Sequence, residues 1–224
     1  MLPEFLPMFG SPAPEPGCEG AWIWRTSDAA NAGDSLSDEE HERVAKLVTA
    51  DARDRLCRYL VQRKQLLARL LDCPPSDVRI AHRPDGKPFL PHFLDIEFSL
   101  SDSEGWNGLA LSRSAPLGID LEHVRPMSWE PMLAMISDTE EAEAIRRAAG
   151  EASDAIAFFR CWTAKEAVLK AAGTGMRGDA RRVRLPPDVI QGRENSLQIT
   201  KDRVTFRVDL AETGSAVIAR AVQT

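Results

Sequence analysis

The chain has 224 residues, 43% of them hydrophobic, enough to enclose a sizeable core, and a formal net charge of −6. That acidic balance excludes the basic face with which nucleic-acid proteins neutralise phosphates, so no nucleic-acid partner is expected, and any anionic ligand must be met by local basic clusters. No run of ~18 apolar residues occurs and the start lacks the basic-then-apolar order of a secretory signal, so the reading is a cytoplasmic protein with no membrane partner; the four cysteines, widely spaced and without a C-x-x-C pair, suggest neither zinc nor disulfides.

Residues 1–20 contain five prolines, a composition that opposes regular structure and predicts an irregular N-terminal arm. Order is expected from Ala21, Trp22 and Ile23. Ser37 and Glu40 have the S-x-x-E spacing of a capping box, which predicts a helix start. From there to Asp72, apolar residues such as Val44, Leu47, Leu56, Leu60, Leu67 and Leu71 recur at three- and four-residue steps, giving two helices with a break near Ala50 to Ala52. Cys73-Pro74-Pro75 stops the second helix, and Asp85-Gly86-Lys87-Pro88 reads as a turn.

Beyond this turn the period becomes two. Ile96, Phe98 and Leu100 alternate with Glu97, Ser99 and Ser101, and further strands are predicted at 108–112 and 117–124, most simply as a three-stranded meander. The second half repeats the plan: a segment over Trp129 to Ile136, a second S-x-x-E box at Ser137 to Glu140, a helix ended by Gly150, another over Asp154 to Ala172, and strands at 197–200, 204–210 and 216–221. The expectation is an α+β fold with an arm over 1–20 and two similar halves over 21–125 and 126–224.

Two segments carry candidate chemistry. In Gly118-Ile119-Asp120-Leu121-Glu122, strand alternation puts both carboxylates on one face, roughly 7 Å apart at their origins. Such a pair is either a solvated strand face or a seat for a hard divalent cation such as magnesium. In the helix that ends near Gly173, Glu166 falls between Phe159 and Trp162 on the helix surface, with Lys170 close by. That pair is either an ordinary i,i+4 ion pair at the edge of the apolar stripe or a carboxylate whose partner is a metal ion. Basic residues collect at Arg53, Arg55, Arg58, Arg63, Lys64 and Arg69, and again at Arg177, Arg181, Arg182 and Arg184.

In this order and separation, these segments resemble the Sfp-like class of the 4′-phosphopantetheinyl transferase superfamily. The family carries a Gly-Lys-Pro turn, an F-N-x-S-H-S-like strand end, a G-[IV]-D-x-E strand and a W-[ST]-x-K-E-[AS]-x-x-K helix followed by a glycine-containing loop. Here these are Gly86-Lys87-Pro88, Phe98 to Ser103, Gly118 to Glu122, and Trp162 to Lys170 with Gly173-Thr174-Gly175. The resemblance implies two α+β halves related by a pseudo-twofold, with coenzyme A bound between them and a site complete in a monomer. It implies transfer of the phosphopantetheinyl arm of coenzyme A to a serine of an acyl or peptidyl carrier protein. By motif position, Asp120, Glu122 and Glu166 would hold Mg2+; Glu166 would help deprotonate the serine, and Lys170, with Lys165 for the same electrostatic duty, would stabilise the departing nucleotide. Lys87, Ser101 and Asp102 match positions that contact the nucleotide end of coenzyme A, with Arg63 a further phosphate ligand, and Arg177, Arg181 and Arg182 would help dock an acidic carrier. Two positions depart from the pattern: Ser99 stands where the family has asparagine, and Asp102 where it has histidine, a carboxylate that would repel a phosphate rather than donate to it. The rival readings are a non-catalytic homologue that binds coenzyme A or a carrier protein, and a magnesium-dependent phosphohydrolase built on the D-x-E pair.

Overall fold

The structure is a computed structural model that describes residues 3–26, 36–150, 155–175 and 178–224. The N-terminal arm is not irregular throughout. Leu6–Met8 forms an edge strand, β1, paired antiparallel with β2 (Gly20–Arg25). Ser11 Oγ accepts the Ala21 N–H, the Trp22 indole donates to the Pro12 carbonyl, and Phe5 is buried against Trp24, so side-chain anchoring overrides the proline content.

Helix α1 (Asp38–Ala45) starts at the predicted capping box: Ser37 Oγ accepts from Glu40 N–H while the Glu40 carboxylate accepts from Ser37 N–H. The same carboxylate pairs with Arg63 and Lys64 of α2 (Ala50–Leu71), tying the two helices together. The break between them falls at 46–49, and α2 ends at Asp72 in a left-handed conformation just before Cys73-Pro74-Pro75. The Gly86 turn closes a short hairpin, β3 (Ala81–His82) with β4 (Pro88–Phe89).

The expected meander divides. Strands β5 (Glu97–Ser103) and β6 (Trp106–Ser112) form a hairpin, but β7 (Leu117–His123) leaves it and pairs with a strand near the C-terminus. The boundary between the two sheets therefore falls between β6 and β7, ahead of the division expected at 125/126. Next come α3 (Leu133–Ile136) and α4 (Thr139–Ala149), which Gly150 terminates at φ +63°. The predicted cap of α4 is displaced by one residue. Asp138, not Ser137, accepts the Glu141 N–H, and Ser137 Oγ is buried without a partner. Helix α5 (Ile156–Ala171), α6 (Pro187–Ile190) and strands β8 (Ser196–Lys201), β9 (Val204–Thr213) and β10 (Ala216–Gln223) complete the chain; Asp154, the predicted start of α5, lies outside the described residues.

Two four-stranded antiparallel sheets result, ordered β1-β2-β6-β5 and β7-β10-β9-β8. Alternation along the strands sorts their side chains into three cores. Trp22, Trp24, Leu109 and Leu111 pack under α2; Val217, Ala219 and Ala221 pack under α5; Ala21, Ile23, Ile119, Leu121 and Ile218 fill the space where the sheets face each other. This α+β arrangement brings β5 and β7, the adjacent edge strands of the two sheets, side by side. Among the described residues, no helix is long and apolar enough to cross a membrane.

Candidate active site

Because Ile119 and Leu121 are taken up between the sheets, strand alternation turns Asp120 and Glu122 to the opposite face of β7, toward α5. There Asp120, Glu122, Glu166 and Lys170 line one groove with Leu100, Ser101, Asp102 and Trp162. The approach of strand to helix is set by Gly118. A Cβ at that position would lie 2.6 Å from the Ala171 nitrogen and 2.9 Å from Lys170 Cβ, and would overlap the Ala167 carbonyl oxygen.

Lys170 spans the seam between the halves. Its ammonium donates to the Leu100 carbonyl (3.3 Å) on one sheet, and to the Ile119 carbonyl (3.0 Å) and Asp120 Oδ1 (2.8 Å) on the other. Asp120 Oδ1 also accepts from Ser101 Oγ at 2.9 Å, while Asp120 Oδ2 is buried with no hydrogen-bond partner among the described residues. Glu122 Oε2 accepts from Ser103 Oγ at 2.7 Å and pairs with Arg125 at 3.5 Å. Burial pushes the Glu122 carboxyl above the usual range; the Ser103 hydrogen bond opposes this and the charge of Asp120 adds to it. Glu166 makes no hydrogen bond among the described residues. Burial and the neighbouring Asp120 and Glu122 charges raise it, with Lys170 the opposing influence.

Lys87 lines an adjoining cleft with Gly86, Phe98, Ser99 and Gly173, and the cleft shares Leu100 and Lys170 with the groove. Its ammonium is held by Glu97 at 2.6 Å. Asp102 is exposed on the groove wall, and Ser101, expected as a nucleotide contact, directs its hydroxyl to Asp120.

Two predicted site residues stand apart from this constellation. Lys165 is 1% exposed and donates to Glu141 at 2.7 Å and to the Ala180 and Val183 carbonyls. One step along the helix from Glu166 turns it about 100° away, so it is a buried strut holding residues 180–185 against α4 and α5 rather than an electrostatic partner in the groove. Arg63 is 5% exposed, lies over the Tyr59 ring and bonds Glu40 at 2.7 Å; it lines neither groove nor cleft. Of the expected carrier-docking arginines, Arg177 lies outside the described residues, Arg181 is paired with Asp179, and Arg182 with Asp202.

Sequence reasoning named Ser99 and Ser103 as motif positions but gave neither a role at the site. The available signal was a strand on one face of which Glu97 is followed by three hydroxyls, Ser99, Ser101 and Ser103, while the other carries Phe98 and Leu100. Among the described residues, no three His, Cys, Asp or Glu side chains stand close enough to form a ready-made metal cluster.

A family model described as the 4′-phosphopantetheinyl transferase superfamily matches residues 116–220, the stretch that carries both β7 and α5. The chain is 29% identical over 153 residues to the 4′-phosphopantetheinyl transferase Sfp of Bacillus subtilis, which covers 63% of this chain and 67% of that protein. It is 32% identical over 146 residues to the 4′-phosphopantetheinyl transferase HetI of a Nostoc species, covering 63% and 61%. Over this stretch the chain is similar to the 4′-phosphopantetheinyl transferase superfamily. A rat relative, the L-aminoadipate-semialdehyde dehydrogenase-phosphopantetheinyl transferase, is 28% identical over 177 residues, covering 73% of this chain and 57% of its own length. The chain thus spans about three-fifths to two-thirds of the length of these relatives.

Proposed function

We propose that this protein transfers the 4′-phosphopantetheinyl group of coenzyme A to a serine hydroxyl of an acyl or peptidyl carrier protein, releasing adenosine 3′,5′-bisphosphate. The observation that carries the reading is the groove in which Asp120, Glu122, Glu166 and Lys170 converge, with Asp120 Oδ2 buried and unpartnered. An orphaned carboxylate oxygen on Asp120, beside two carboxylates raised by burial and by the Asp120 charge, fits a hard divalent cation. Asp120, Glu122 and Glu166 would hold Mg2+, which supplies neutralising charge against the coenzyme A pyrophosphate when bound.

The remaining roles follow from the side chains. Glu166, its carboxyl raised by burial and by the Asp120 charge and making no hydrogen bond among the described residues, accepts the proton of the carrier serine. The serine oxygen then forms a bond to the phosphorus that carries the pantetheine arm, and the bond from that phosphorus to the bridging oxygen breaks. The electron pair leaves with adenosine 3′,5′-bisphosphate, whose developing charge Lys170 meets from its fixed position across the seam. Lys87, in the adjoining cleft, exchanges Glu97 for a phosphate of the nucleotide. The division between groove and cleft suits a ligand whose reacting pyrophosphate and nucleotide end lie in two connected places.

The Glu166→Gln variant separates this reading from a non-catalytic binding homologue. It keeps shape but loses the proton acceptor and a cation ligand, so carrier modification is expected to stop while the fold persists. Modification at the wild-type rate would remove Glu166 from the chemistry. Release of phosphate from simple esters without a carrier would favour a phosphohydrolase instead.

A further inference from the structure

The meeting of β5 and β7 is not a β-ladder. Each is an edge strand, and among the described residues β7 pairs only with β10, which leaves the amides of Ile119, Leu121 and His123 pointing out of its sheet. Such amides are costly to bury unmet. Each is met by a side chain: Ile119 N–H donates to Ser99 Oγ at 3.1 Å, Leu121 N–H to Ser101 Oγ at 3.1 Å, and His123 N–H to Ser103 Oγ at 3.2 Å. A hydroxyl that accepts an N–H still has its own proton to donate. Ser101 gives it to Asp120 Oδ1 and Ser103 gives it to Glu122 Oε2. Ser99 has no such carboxylate, because the residue across from it is Gly118 rather than an acid.

The consequence is directional. Each carboxylate has one oxygen tethered by a serine, Asp120 Oδ1 with help from Lys170 and Glu122 Oε2 with help from Arg125. The second oxygen of Asp120 is left buried and unpartnered on the groove side. Because the same two hydroxyls fix the strand register, the carboxylates and the seam are set by one pair of atoms.

We propose that Ser101 and Ser103 are positioning residues that act through Asp120 and Glu122, orienting them to hold a divalent cation, and that Ser99 serves the seam alone. This rests on the cation-assisted reading above. Groups that hydrogen-bond metal-binding side chains typically change metal affinity by about 10–100-fold when removed.

The test uses the full chain with Mn2+ as probe, read by electron paramagnetic resonance, beside thermal unfolding of the same samples. Ser99→Ala, Ser101→Ala and Ser103→Ala each lose one partner for a backbone amide, so all three should melt lower by similar amounts. Only Ser101→Ala and Ser103→Ala should weaken Mn2+ binding, by about tenfold or more, and Ser103→Thr should restore it. Ser103 lies at the end of β5, so its variant tests the idea even where Ser101→Ala fails to fold. Equal Mn2+ affinity in the three alanine variants would overturn this inference and leave the proposed transfer standing. A wild-type chain that binds no Mn2+ would overturn both the cation site and the serine roles. Serine-dependent Mn2+ binding in a chain that modifies no carrier would support the inference and overturn the transfer reading alone.

Discussion

Replacing Gly118 with alanine should damage stability and chemistry together. The added methyl group would sit 2.6 Å from the Ala171 nitrogen, where ordinary contact begins at 3.4 Å, and would also overlap the Ala167 carbonyl oxygen. These are backbone atoms of α5, which cannot rotate aside, so helix and strand must separate by about 0.8 Å or more. Overpacking of this kind costs about 1–3 kcal/mol, which for a chain of this length lowers Tm by about 2–12 °C. The separation also moves Asp120 and Glu122, on β7, away from Glu166 and Lys170, on α5. A misplacement near 1 Å can cost about 100-fold in rate. Calorimetric melting gives the first quantity, and carrier modification measured well below Tm gives the second. A Gly118→Ala protein with wild-type Tm and wild-type rate would refute the claim that backbone contact between β7 and α5 fixes the site.

Other substitutions separate stability from chemistry. Glu122 and Glu166 are raised in the folded chain, so the folded state holds protons that the unfolded chain has already released; stability therefore falls as pH rises from the ordinary glutamate value of 4.5 through the raised ones. Removing one of the pair by Glu166→Gln should flatten that fall and raise the metal-free Tm by about 1–4 °C near neutral pH, seen in parallel pH-dependent melts; a lower Tm would contradict the repulsion. Lys165→Met leaves Glu141, 4% exposed, without its cation, and should cost about 3–5 kcal/mol in denaturant unfolding. The folded variant should keep wild-type Mn2+ affinity, and a large loss of affinity would return Lys165 to the site. Asp102→Asn removes an exposed negative charge from the groove wall and should lower the KM for coenzyme A by up to about fivefold, in steady-state assays at low salt; an unchanged KM would mean that Asp102 does not face the nucleotide.

The elements with strong local signals were readable from sequence. The Ser37 capping box, the break before α2, the Gly86 turn and the alternation of β5 to β10 depend on neighbours a few residues away, and the structure has each of them. Local chemistry misled where a competing neighbour decided. Asp138 outbid Ser137 for the cap because its carboxylate reaches the same first-turn amides and also meets Arg184. Part of the proline-rich start, Leu6–Met8, became a strand because Phe5, Ser11 and Pro12 find partners on β2 and in the core. The departure of β7 from its hairpin was not legible, since Ile119 and Leu121 fit either sheet by pattern alone. At the site, alternation correctly turned Asp120 and Glu122 to one face and helical spacing put Lys170 beside Glu166. The same spacing gave no warning that Lys165 would be sealed inside by Glu141, 24 residues earlier in the chain. Arg63 was likewise claimed by Glu40, a contact that only the packing of α1 on α2 creates.

The most direct measurement is the intact mass of a panel of apo carrier proteins after incubation with this protein, coenzyme A and Mg2+. The account predicts a gain of one phosphopantetheinyl arm on at least one carrier, lost when the metal is chelated and lost in the Glu166→Gln variant. No gain on any carrier, with no coenzyme A binding by calorimetry, would contradict it.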